Sequence, residues 1–200
     1  MADRCNEQWD KTEWRAYLAR SRAAVSVQQR VVEARALVQA VAALPIPDTV
    51  CCFVPFGSEP GSIALLDVLR DAGARVLLPA IPAAPGALDW AEFTGTATLV
   101  PGPMRGILEP SGPRLGPTAL RSAGLVLVPA LAVDHSGVRL GRGAGHYDRS
   151  LVHADPEAAL VAVVRDGELV EKLPADAHDV RITGALMPAR GLVHLPLRAD

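Results

Sequence analysis

The first quarter of the chain carries the pattern of two amphipathic helices. Glycine and proline are absent from Glu7 to Leu44, and alanine and arginine are frequent there, as in stable helices. Ser26 divides this stretch, because its hydroxyl can cap a second helix and Gln29 stands in position to complete a capping box. Two prolines follow and end the helical section. We therefore expect residues 1–44 to supply a helical pair that packs on the core formed by the rest of the chain.

Beyond residue 48, short apolar runs alternate with segments of helical period. The apolar runs predict buried strands at Thr49–Phe56, Ala74–Ile81, Gly124–Val133, Ala158–Val164 and Val180–Leu186. The predicted helices are Ser62–Ala72, Thr118–Ala123 and Gly145–His153. Such alternation favours an α/β fold with an open, mostly parallel sheet flanked by helices. Ligands of such sheets bind beyond the carboxyl ends of the strands, here near Phe56 and Val133.

The middle of the chain is less regular. Proline and glycine are frequent from Pro82 to Pro117, where Leu88–Phe93 and Ala97–Val100 have the composition of short strands, and we expect an irregular hairpin there. A length of 200 residues suits one core, and neither an internal repeat nor a low-complexity linker suggests a division. The expectation is a single domain over residues 1–200.

Composition and charge exclude several classes of function. The 20 lysines and arginines nearly balance the 22 aspartates and glutamates, which removes the usual electrostatic argument for binding nucleic acid or a membrane surface. No apolar run has the length of a membrane span, and the N-terminus carries charges where a signal peptide would be apolar. Cys5, Cys51 and Cys52 fit neither a zinc site nor a disulfide framework, and the adjacent pair should fill opposite faces of a strand. We expect a cytoplasmic monomer that acts on a small molecule.

A glycine-rich loop is the most informative chemical feature. It follows an apolar run and precedes a predicted helix, in the sequence LVLVPALAVDHSGVRLGRGAGHYDRSL from Leu125 to Leu151. Gly141, Gly143 and Gly145 let the backbone approach an anion closely, with amide hydrogens and the Arg142 guanidinium directed at it. The alternative is that these glycines only shape a surface turn before a helix.

The first predicted helix carries three cations on one face, at Lys11, Arg15 and Arg22. Like charges one turn apart repel by a few tenths of a kcal/mol, roughly, so a bound anion would relieve this repulsion. Two interpretations remain open. The face is either a second contact to the anion of the glycine-rich loop or a solvated surface balanced by carboxylates such as Glu7 and Asp10.

Carboxylates and one histidine complete the candidate chemistry. Glu59 follows the first predicted strand and either accepts hydrogen bonds from a cationic or amide-rich substrate or is an ordinary loop glutamate. Asp134, Asp148 and Asp179 either supply oxygen ligands for Mg²⁺ near the loop or are solvated. His146 lies inside the loop, where it can stack on a ligand or form a hydrogen bond with it. The other four histidines form no recognisable nucleophile motif, so a covalent triad is not expected.

Taken together, these motifs resemble one known family. The segment VPALAVDHSGVRLGRGAGHYDR is similar to the signature of 5-formyltetrahydrofolate cyclo-ligases, also called methenyltetrahydrofolate synthetases, whose pattern is close to VPGLAFD-x-x-G-x-RLG-x-G-x-G-[YF]-YDR. The likeness extends over nearly the whole chain. It includes the basic pair Lys11-x-x-x-Arg15, the turn Phe56–Ser62, the motif Gly106–Pro110 and the P-x-x-x-H-D segment Pro174–Asp179.

The resemblance implies an ATP- and Mg²⁺-dependent reaction that converts 5-formyltetrahydrofolate into 5,10-methenyltetrahydrofolate and releases ADP and phosphate. In the family's reaction the formyl oxygen attacks the γ-phosphate, N10 then closes the five-membered ring, and phosphate leaves. The family likeness also implies a fold similar to that of phosphosugar isomerases and CoA transferases.

The resemblance also implies roles for individual residues. The nucleotide would be bound by Lys11, Arg15, Arg139, Gly141, Arg142, Gly143, Ala144, Gly145, His146 and Tyr147. The folate would be bound by Phe56, Glu59, His146 and Tyr147, and Mg²⁺ by Asp148 and Asp179. Catalysis would depend on Lys11, Arg142 and Tyr147, mainly through positioning and charge neutralisation, since phosphoryl transfer is largely electrostatic work.

Four positions depart from the family pattern. Ala130 and Val133 replace the usual glycine and phenylalanine, His146 stands where tyrosine or phenylalanine is common, and Thr183 falls near a position that is often acidic. These changes keep open the reading of a folate- or nucleotide-binding relative without turnover. A second alternative is a relative of phosphosugar isomerases or acyl-CoA transferases, because the sheet of the cyclo-ligase family resembles theirs.

Overall fold

The N-terminal helices begin at side-chain caps. The structure, a computed structural model, describes residues 9–177 and 179–197, so Glu7 and Cys5 lie outside the described residues. Helix α1 (Lys11–Ala24) starts after Asp10, which forms a complete capping box with Glu13. Helix α2 (Val27–Ala42) starts after Ser26, whose hydroxyl accepts from the backbone of Gln29 at 3.1 Å.

The capping box predicted for α2 is only half formed. The amide nitrogen of the Gln29 side chain donates to the carboxylate of Glu33 at 3.2 Å, one turn further along the helix, instead of returning to Ser26. Pairs four residues apart on a helix face each other, which explains this choice. The boundary between the two helices is nevertheless where the sequence predicts it.

The remaining described elements alternate strands and helices. In chain order they are β1 (Thr49–Cys51), α3 (Ala64–Asp71), β2 (Arg75–Ala80), β3 (Asp89–Glu92), β4 (Leu99–Pro101), β5 (Leu108–Pro110), β6 (Leu125–Pro129), β7 (Ala132–Asp134), β8 (Arg139–Leu140), α4 (His146–Leu151), β9 (Ala159–Val163), β10 (Leu169–Val170), β11 (Gly184–Met187) and β12 (Gly191–His194). Short 3-10 helices lie at Thr96–Thr98, Pro117–Ser122 and Asp166–Glu168.

The main sheet has seven strands in the order β12-β11-β9-β6-β1-β2-β3. Strands β2, β1, β6, β9 and β11 are parallel, while the edge strands β3 and β12 are antiparallel to their neighbours. This confirms the predicted open, mostly parallel α/β sheet. From β1 the chain crosses first to β2 on one side and later to β6 on the other, and a crevice is expected where strand order reverses in this way.

The predicted strand Gly124–Val133 is wrong in one respect, because it is two strands in two sheets. Strand β6 ends at Pro129, which has no N–H to continue the ladder, and Ala130 and Leu131 leave the main sheet. The chain resumes as β7 in a small three-stranded sheet of order β10-β7-β8. Strands β8, β10 and β12 have no counterpart in the sequence prediction, since two-residue strands and an edge strand leave a weak pattern.

Two other strands are shorter than predicted. Pairing in β1 ends at Cys51, although the backbone N–H of Cys52 still donates to Leu77 at 2.9 Å. Strand β11 begins only at Gly184, because the N–H groups of Ile182 and Thr183 donate to Gly137 and Leu160 instead. Helix α4 likewise covers only part of the predicted segment Gly145–His153.

The irregular hairpin expected in the middle of the chain pairs differently. Strand β3 joins the edge of the main sheet beside β2, so it does not pair with the next strand in sequence. Strand β4 pairs instead with β5 in a separate two-stranded hairpin, with Val100 opposite Glu109. Residues 99–110 therefore form a small unit that stands beside the end of β2.

Helices cover both faces of the main sheet. Helices α2 and α3 bury Leu37 and Leu66 on one face, and the 3-10 helix Pro117–Ser122 and α4 bury Leu120 and Leu151 on the other. Helix α1 packs elsewhere, through a cluster of Trp14, Leu18, Ala132, Leu140 and Leu173 against the small sheet. Each fully buried leucine contributes about 2 kcal/mol, which fixes α1 beside β8 and the loop that follows it.

The adjacent cysteines fill the core as predicted. Cys51 belongs to the cluster on one face of the sheet and Cys52 to the cluster on the other. Burial raises the pKa of both thiols, that of Cys52 to about 12. A thiol that stays protonated is a poor nucleophile, so neither cysteine is a candidate for covalent chemistry.

Candidate active site

A cavity of about 360 Å³ opens beyond the carboxyl ends of β1 and β6, at the crevice that the strand order predicts. Its apolar wall includes Phe53, Val54, Phe56, Pro79, Ile81, Leu88, Met104, Ile107, Leu108, Pro129, Ala130 and Leu131. Its charged lining includes Lys11, Arg15, Arg22, Glu59, Glu109, Arg139, Arg142, Asp148, Asp176 and Asp179. The residues predicted for binding thus converge on one cavity from four separate parts of the chain.

The glycine-rich loop needs its glycines because arginine side chains lie against it. A Cβ atom added to Gly141 would stand 2.7 Å from Nη1 of Arg139, which is closer than van der Waals contact allows. Gly143 and Gly145 have φ values of +104° and +68°, in the region that residues with a Cβ rarely adopt. Nε of Arg15 donates to the carbonyl of Gly141 at 3.0 Å and so ties α1 to the loop.

Arg139 is buried at the base of the loop. Its Nη2 donates to the carboxylate of Asp148, and its guanidinium lies 5.7 Å from the ring centroid of Tyr147. Its Nε is buried and has no hydrogen-bond partner among the residues that the structure describes. A buried N–H without a partner is costly, so Arg139 retains donor capacity for a ligand.

Arg142 joins the glycine-rich loop to the turn after β1. Its Nε donates to Oε1 of Glu59 at 3.1 Å, and its guanidinium lies 4.6 Å from the ring centroid of Phe56. Only 4% of the Glu59 side chain is exposed. Burial raises the pKa of Glu59, and the charge of Arg142 and the N–H of Phe56 oppose that rise. The interpretation of Glu59 as a solvated loop glutamate therefore does not fit, because its side chain is buried and paired with Arg142.

The cations on α1 are neither solvated nor left to repel one another. Nζ of Lys11 lies 2.7 Å from Asp176 and 2.8 Å from Asp179. Burial alone would lower the pKa of Lys11, but hydrogen bonds and charge from these two aspartates outweigh it, and the pKa is raised. Arg22 is 1% exposed and bonded to Glu168, so the solvated-face interpretation of this helix is wrong.

The carboxylates predicted to bind Mg²⁺ line the cavity as partners of cations. Asp179 pairs with Lys11, and Asp148 with Arg139. Among residues 9–177 and 179–197, no group of three or more His, Cys, Asp or Glu side chains is placed to hold a metal ion. His178, which belongs to the same motif as Asp179, lies outside the described residues.

Asp134 has a structural position instead. Its Oδ1 accepts from the backbone of Ser136 and Val138 and from the Ser136 hydroxyl, and its Oδ2 accepts from the backbone of Leu173. These bonds occupy the buried carboxylate and close the turn between β7 and β8. The interpretation of Asp134 as a magnesium ligand is therefore wrong.

His146 and Tyr147 form part of the cavity wall. Nδ1 of His146 lies 3.2 Å from the carbonyl oxygen of Gly86, and since a carbonyl only accepts, this contact requires a proton on Nδ1. Burial, with Glu59 as the next cause, raises the pKa of Tyr147 well above its usual value. Tyr147 therefore stays a neutral hydroxyl at physiological pH.

The four departures from the family pattern fall in two places. Ala130 and His146 line the cavity and so can change its shape. Val133 is buried in the small sheet, and the Thr183 hydroxyl bonds to the backbone of Leu160 between two strands of the main sheet. The last two changes therefore lie in the framework of the fold.

The hairpin β4–β5 supplies cavity residues for which the sequence analysis predicts no role in binding. Ile107 and Leu108 line the apolar wall, and Glu109 is buried beside them. Oε1 of Glu109 accepts from the backbone N–H of Ile81 at 2.8 Å, and Oε2 lies 3.3 Å from Arg114. The motif Gly106–Pro110 was the available signal for this wall.

Comparison with known proteins decides the family. The model of the 5-formyltetrahydrofolate cyclo-ligase family matches residues 7–188. The chain belongs to this family. It is 48% identical to a 5-formyltetrahydrofolate cyclo-ligase from Mycolicibacterium smegmatis over 92% of this chain and 97% of that protein. A cyclo-ligase from Escherichia coli is 30% identical over 86% of this chain and 96% of its own length.

Solved structures agree with the cyclo-ligase fold. The NMR structure of a 5,10-methenyltetrahydrofolate synthetase from Aquifex aeolicus matches with a TM-score of 0.77 at 24% identity and covers 95% of both chains. A 5,10-methenyltetrahydrofolate synthetase from Mycoplasma pneumoniae matches with a TM-score of 0.69 at 17% identity, over 87% of this chain and 96% of its own. The expected likeness to phosphosugar isomerases and CoA transferases stays a prediction. None of the helices in the described residues has the length and apolar character needed to cross a membrane.

Proposed function

We propose that this cyclo-ligase family member converts 5-formyltetrahydrofolate into 5,10-methenyltetrahydrofolate in the presence of Mg²⁺, with the terminal phosphoryl group of ATP transferred to the formyl oxygen and ADP and phosphate released. The observation that carries the proposal is the composition of one cavity. Its apolar wall and buried Glu59 suit a pterin, and its glycine-rich loop with surrounding cations suits a triphosphate. The family relatives at 48% and 30% identity bear the name of this activity.

The loop fits a triphosphate on structural grounds. A Cβ at Gly141 would crowd the guanidinium of Arg139, so a glycine here lets that cation lie directly against the loop. The buried Nε of Arg139 has donor capacity that none of the described residues uses. Lys11, Arg15 and Arg142 add positive charge around the same space, as binding a polyanion requires.

Two carboxylates fit the needs of Mg²⁺. This ion keeps several waters and takes one or two carboxylates together with phosphate oxygens, so Asp148 and Asp179 are a sufficient protein contribution. Mg²⁺, when bound, would neutralise phosphate charge and favour transfer of the terminal phosphoryl group. The cations that now pair with these carboxylates, Arg139 and Lys11, would then be free to contact phosphate.

The folate would lie against the opposite part of the lining. Phe56 offers a flat apolar surface, and the carboxylate of Glu59 can accept hydrogen bonds from ring N–H groups of the pterin. His146 and Tyr147 would form the boundary between folate and nucleotide, since they belong to the loop and also line the cavity. The hairpin residues Ile107 and Leu108 would close the apolar side.

The reaction requires the protein mainly to neutralise charge and to position the reacting groups. When the formyl oxygen attacks the terminal phosphate, negative charge develops on the transferring group, and Lys11, Arg139 and Arg142 stand where they would offset it. Tyr147 contributes a hydroxyl that stays neutral, because burial raises its pKa, and that can donate a hydrogen bond to a ligand. No covalent intermediate with the protein is needed, in keeping with two buried cysteines whose thiols stay protonated.

The direct test is turnover by the purified protein. With ATP, Mg²⁺ and 5-formyltetrahydrofolate, we expect the near-ultraviolet absorbance of the methenyl product, and none when ATP is omitted. Calorimetric binding of both ligands without product would instead support a non-catalytic relative. Isomerisation of a phosphosugar without nucleotide would support the isomerase reading and contradict the proposal.

A further inference from the structure

A network of four buried charged side chains adjoins the cavity, and we infer that it positions the two turns that hold the folate. This buried charge network consists of Arg22, Glu33, Glu168 and Arg165, which are all less than one-tenth exposed. The inference rests on the proposed function, because it concerns how the folate part of that site is built. It makes Arg165 and Arg22 positioning residues.

The first half of the network holds the turn that follows β6. Nε and Nη2 of Arg22 donate to the two carboxylate oxygens of Glu168 at 2.7 and 2.8 Å, a two-pronged contact. The same Nη2 donates to the carbonyl oxygen of Ala130 at 2.6 Å. Ala130 lines the cavity at the point where the chain leaves the main sheet after Pro129.

The second half holds the turn that follows β1. Nε of Arg165 donates to Glu33 of α2 at 2.7 Å, and its Nη1 donates to the carbonyl oxygen of Ser58 at 3.0 Å. Ser58 directly precedes Glu59, the acceptor proposed for the pterin. The backbone N–H of Arg165 donates to Glu168 at 2.8 Å, which joins the two halves into one network.

The network lies beyond the ends of two strands, where backbone carbonyl groups have no partner within the sheet. Strands β1 and β6 are neighbours whose continuations diverge around the cavity, so the carbonyl groups beyond their ends need donors from elsewhere. A guanidinium reaches a carboxylate and a carbonyl at the same time because its N–H groups point in several fixed directions. Lysine has a single ammonium group and cannot reproduce this geometry.

Stability alone is a weak reason for such an arrangement. Buried ion pairs often contribute no more stability than well-packed apolar side chains of similar volume, because removing the charges from water is costly. A buried network whose two arginines each donate to a turn at the cavity therefore points to precise positioning. The network also acts on Glu59 through charge. Burial raises the pKa of Glu59, Arg142 is the main charge that opposes this rise, and the charge of Arg22 opposes it to a smaller extent.

The test compares Arg165→Lys with the wild type by calorimetric titration of 5-formyltetrahydrofolate without nucleotide, and by steady-state kinetics. We expect the folate affinity to fall about tenfold or more, because small misplacements of positioned groups are costly, while KM for ATP changes by less than about twofold. Val41→Ala is the matched control. It removes buried volume from α2 within the cluster on one face of the main sheet, and makes no contact with the charge network, so it should lower Tm without changing folate affinity.

A second variant distinguishes a misplaced turn from a general loss of stability as the cause of weaker folate binding. In the double substitution Glu33→Leu with Arg165→Met, the buried charges of one pair are replaced by apolar side chains, so Tm should stay near that of the wild type. The donor to Ser58 is lost, and we expect the same fall in folate affinity. Unchanged folate affinity in either folded variant overturns the inference, as does a fall in affinity of the same size in Val41→Ala. A wild-type protein that forms no methenyl product contradicts the proposed function instead, since the affinity measurement needs no turnover.

Discussion

Glu59 and Arg142 stand 83 positions apart in the chain, yet Nε of Arg142 donates to the Glu59 carboxylate at 3.1 Å. The contact joins the turn after β1, which suits the pterin, to the glycine-rich loop, which suits the triphosphate. Arg142 is about half exposed at the mouth while Glu59 is buried within the wall. A ligand that displaces or strengthens this contact therefore acts on both parts of the site at once.

Removal of the Arg142 guanidinium should abolish most activity. We expect Arg142→Ala to lower kcat/KM by about 10²- to 10³-fold, because the group both orients Glu59 and offsets charge on the transferring phosphoryl group. Steady-state assays of methenyl product measure this. Arg75→Ala is the control, since Arg75 makes a comparable 2.8 Å pair with Glu92 on an exposed sheet edge. Equal activity of the two variants would contradict the role given to Arg142.

The raised pKa of Glu59 predicts an effect of pH on stability. Because burial favours its protonated form in the folded protein, the folded state holds the proton over a range above the ordinary pKa of 4.5, where the unfolded state has lost it. Stability should therefore fall as pH rises through that range and stay lowered above it. Glu59→Gln should remove this part of the pH dependence, which thermal unfolding at a series of pH values measures.

The same group predicts the opposite trend for folate binding. If the ionised carboxylate accepts hydrogen bonds from the pterin, folate affinity should fall as pH is lowered through the raised pKa of Glu59. Glu59→Gln should bind folate more weakly and lack this inflection. A variant whose titration profile matches that of the wild type would exclude Glu59 as the acceptor.

Local spacing was enough to predict the glycine-rich loop, since its glycines, Arg142 and Tyr147 are neighbours in the chain. The partners of those residues were not predictable in the same way. Arg22 bonds to Glu168, 146 positions away, and the helical pattern alone left its face open to a solvated interpretation. The break after Pro129 was also missed, because the apolar run continues unchanged into β7 while only the hydrogen-bond ladder ends.

Gly141 should be sensitive to a single methyl group. In Gly141→Ala the new Cβ would stand 2.7 Å from Nη1 of Arg139 and displace that guanidinium, so we expect ATP affinity to fall about tenfold to a hundredfold, the loss of one charged contact. Calorimetric titration with ATP and Mg²⁺ measures it. At Gly112 a Cβ would meet the Glu92 carbonyl only at 3.7 Å, an ordinary contact, so Gly112→Ala serves as the control.

Pairing between predicted phosphate cations and predicted metal carboxylates has a thermodynamic consequence. Lys11 pairs with Asp176 and Asp179, and Arg139 pairs with Asp148. A nucleotide that binds these cations must separate them from the carboxylates, and Mg²⁺ that binds the carboxylates must separate them from the cations. Each ligand therefore breaks ion pairs that the other would also have to break. We expect positive coupling, with ATP affinity higher by about fivefold or more when Mg²⁺ is present. Asp176→Asn should raise the affinity for ATP without Mg²⁺, because it releases Lys11 from one competitor.

Titrations of wild type and variants with ATP alone, Mg²⁺ alone and both together measure this coupling. Lys11→Met provides the complementary case, since it removes a positive charge 2.8 Å from Asp179 and also removes a phosphate contact. It should therefore bind Mg²⁺ alone more tightly and ATP more weakly. Independent binding of the two ligands in the wild type would show that the ion pairs do not compete with them.

Glu109 should affect stability and the folate KM mainly through the hydrogen bond that it accepts, and only slightly through its charge. Its Oε1 accepts from the N–H of Ile81 at 2.8 Å and so fastens the hairpin β4–β5 to the end of β2, beside the cavity. Glu109→Gln keeps an acceptor for that N–H, and we expect nearly normal stability and folate KM. Glu109→Ala leaves the N–H without it, which should cost about 1–3 kcal/mol of stability and raise the folate KM.

Substitution of Arg114 tests the ion pair of Glu109 without removing the hydrogen bond between Glu109 and Ile81. Its side chain is 42% exposed and lies 3.3 Å from Glu109, and ion pairs with such a solvated member contribute at most about 1 kcal/mol. Arg114→Ala should therefore leave the folate KM close to that of the wild type. A larger loss in Arg114→Ala than in Glu109→Ala would mean that the contacts of Arg114, which are the ion pair with Glu109 and a 2.7 Å hydrogen bond to the carbonyl of Pro110, hold the hairpin in place rather than the bond to Ile81. Thermal unfolding and folate KM, measured on all three variants, distinguish these cases because Arg114→Ala leaves the bond between Glu109 and Ile81 in place.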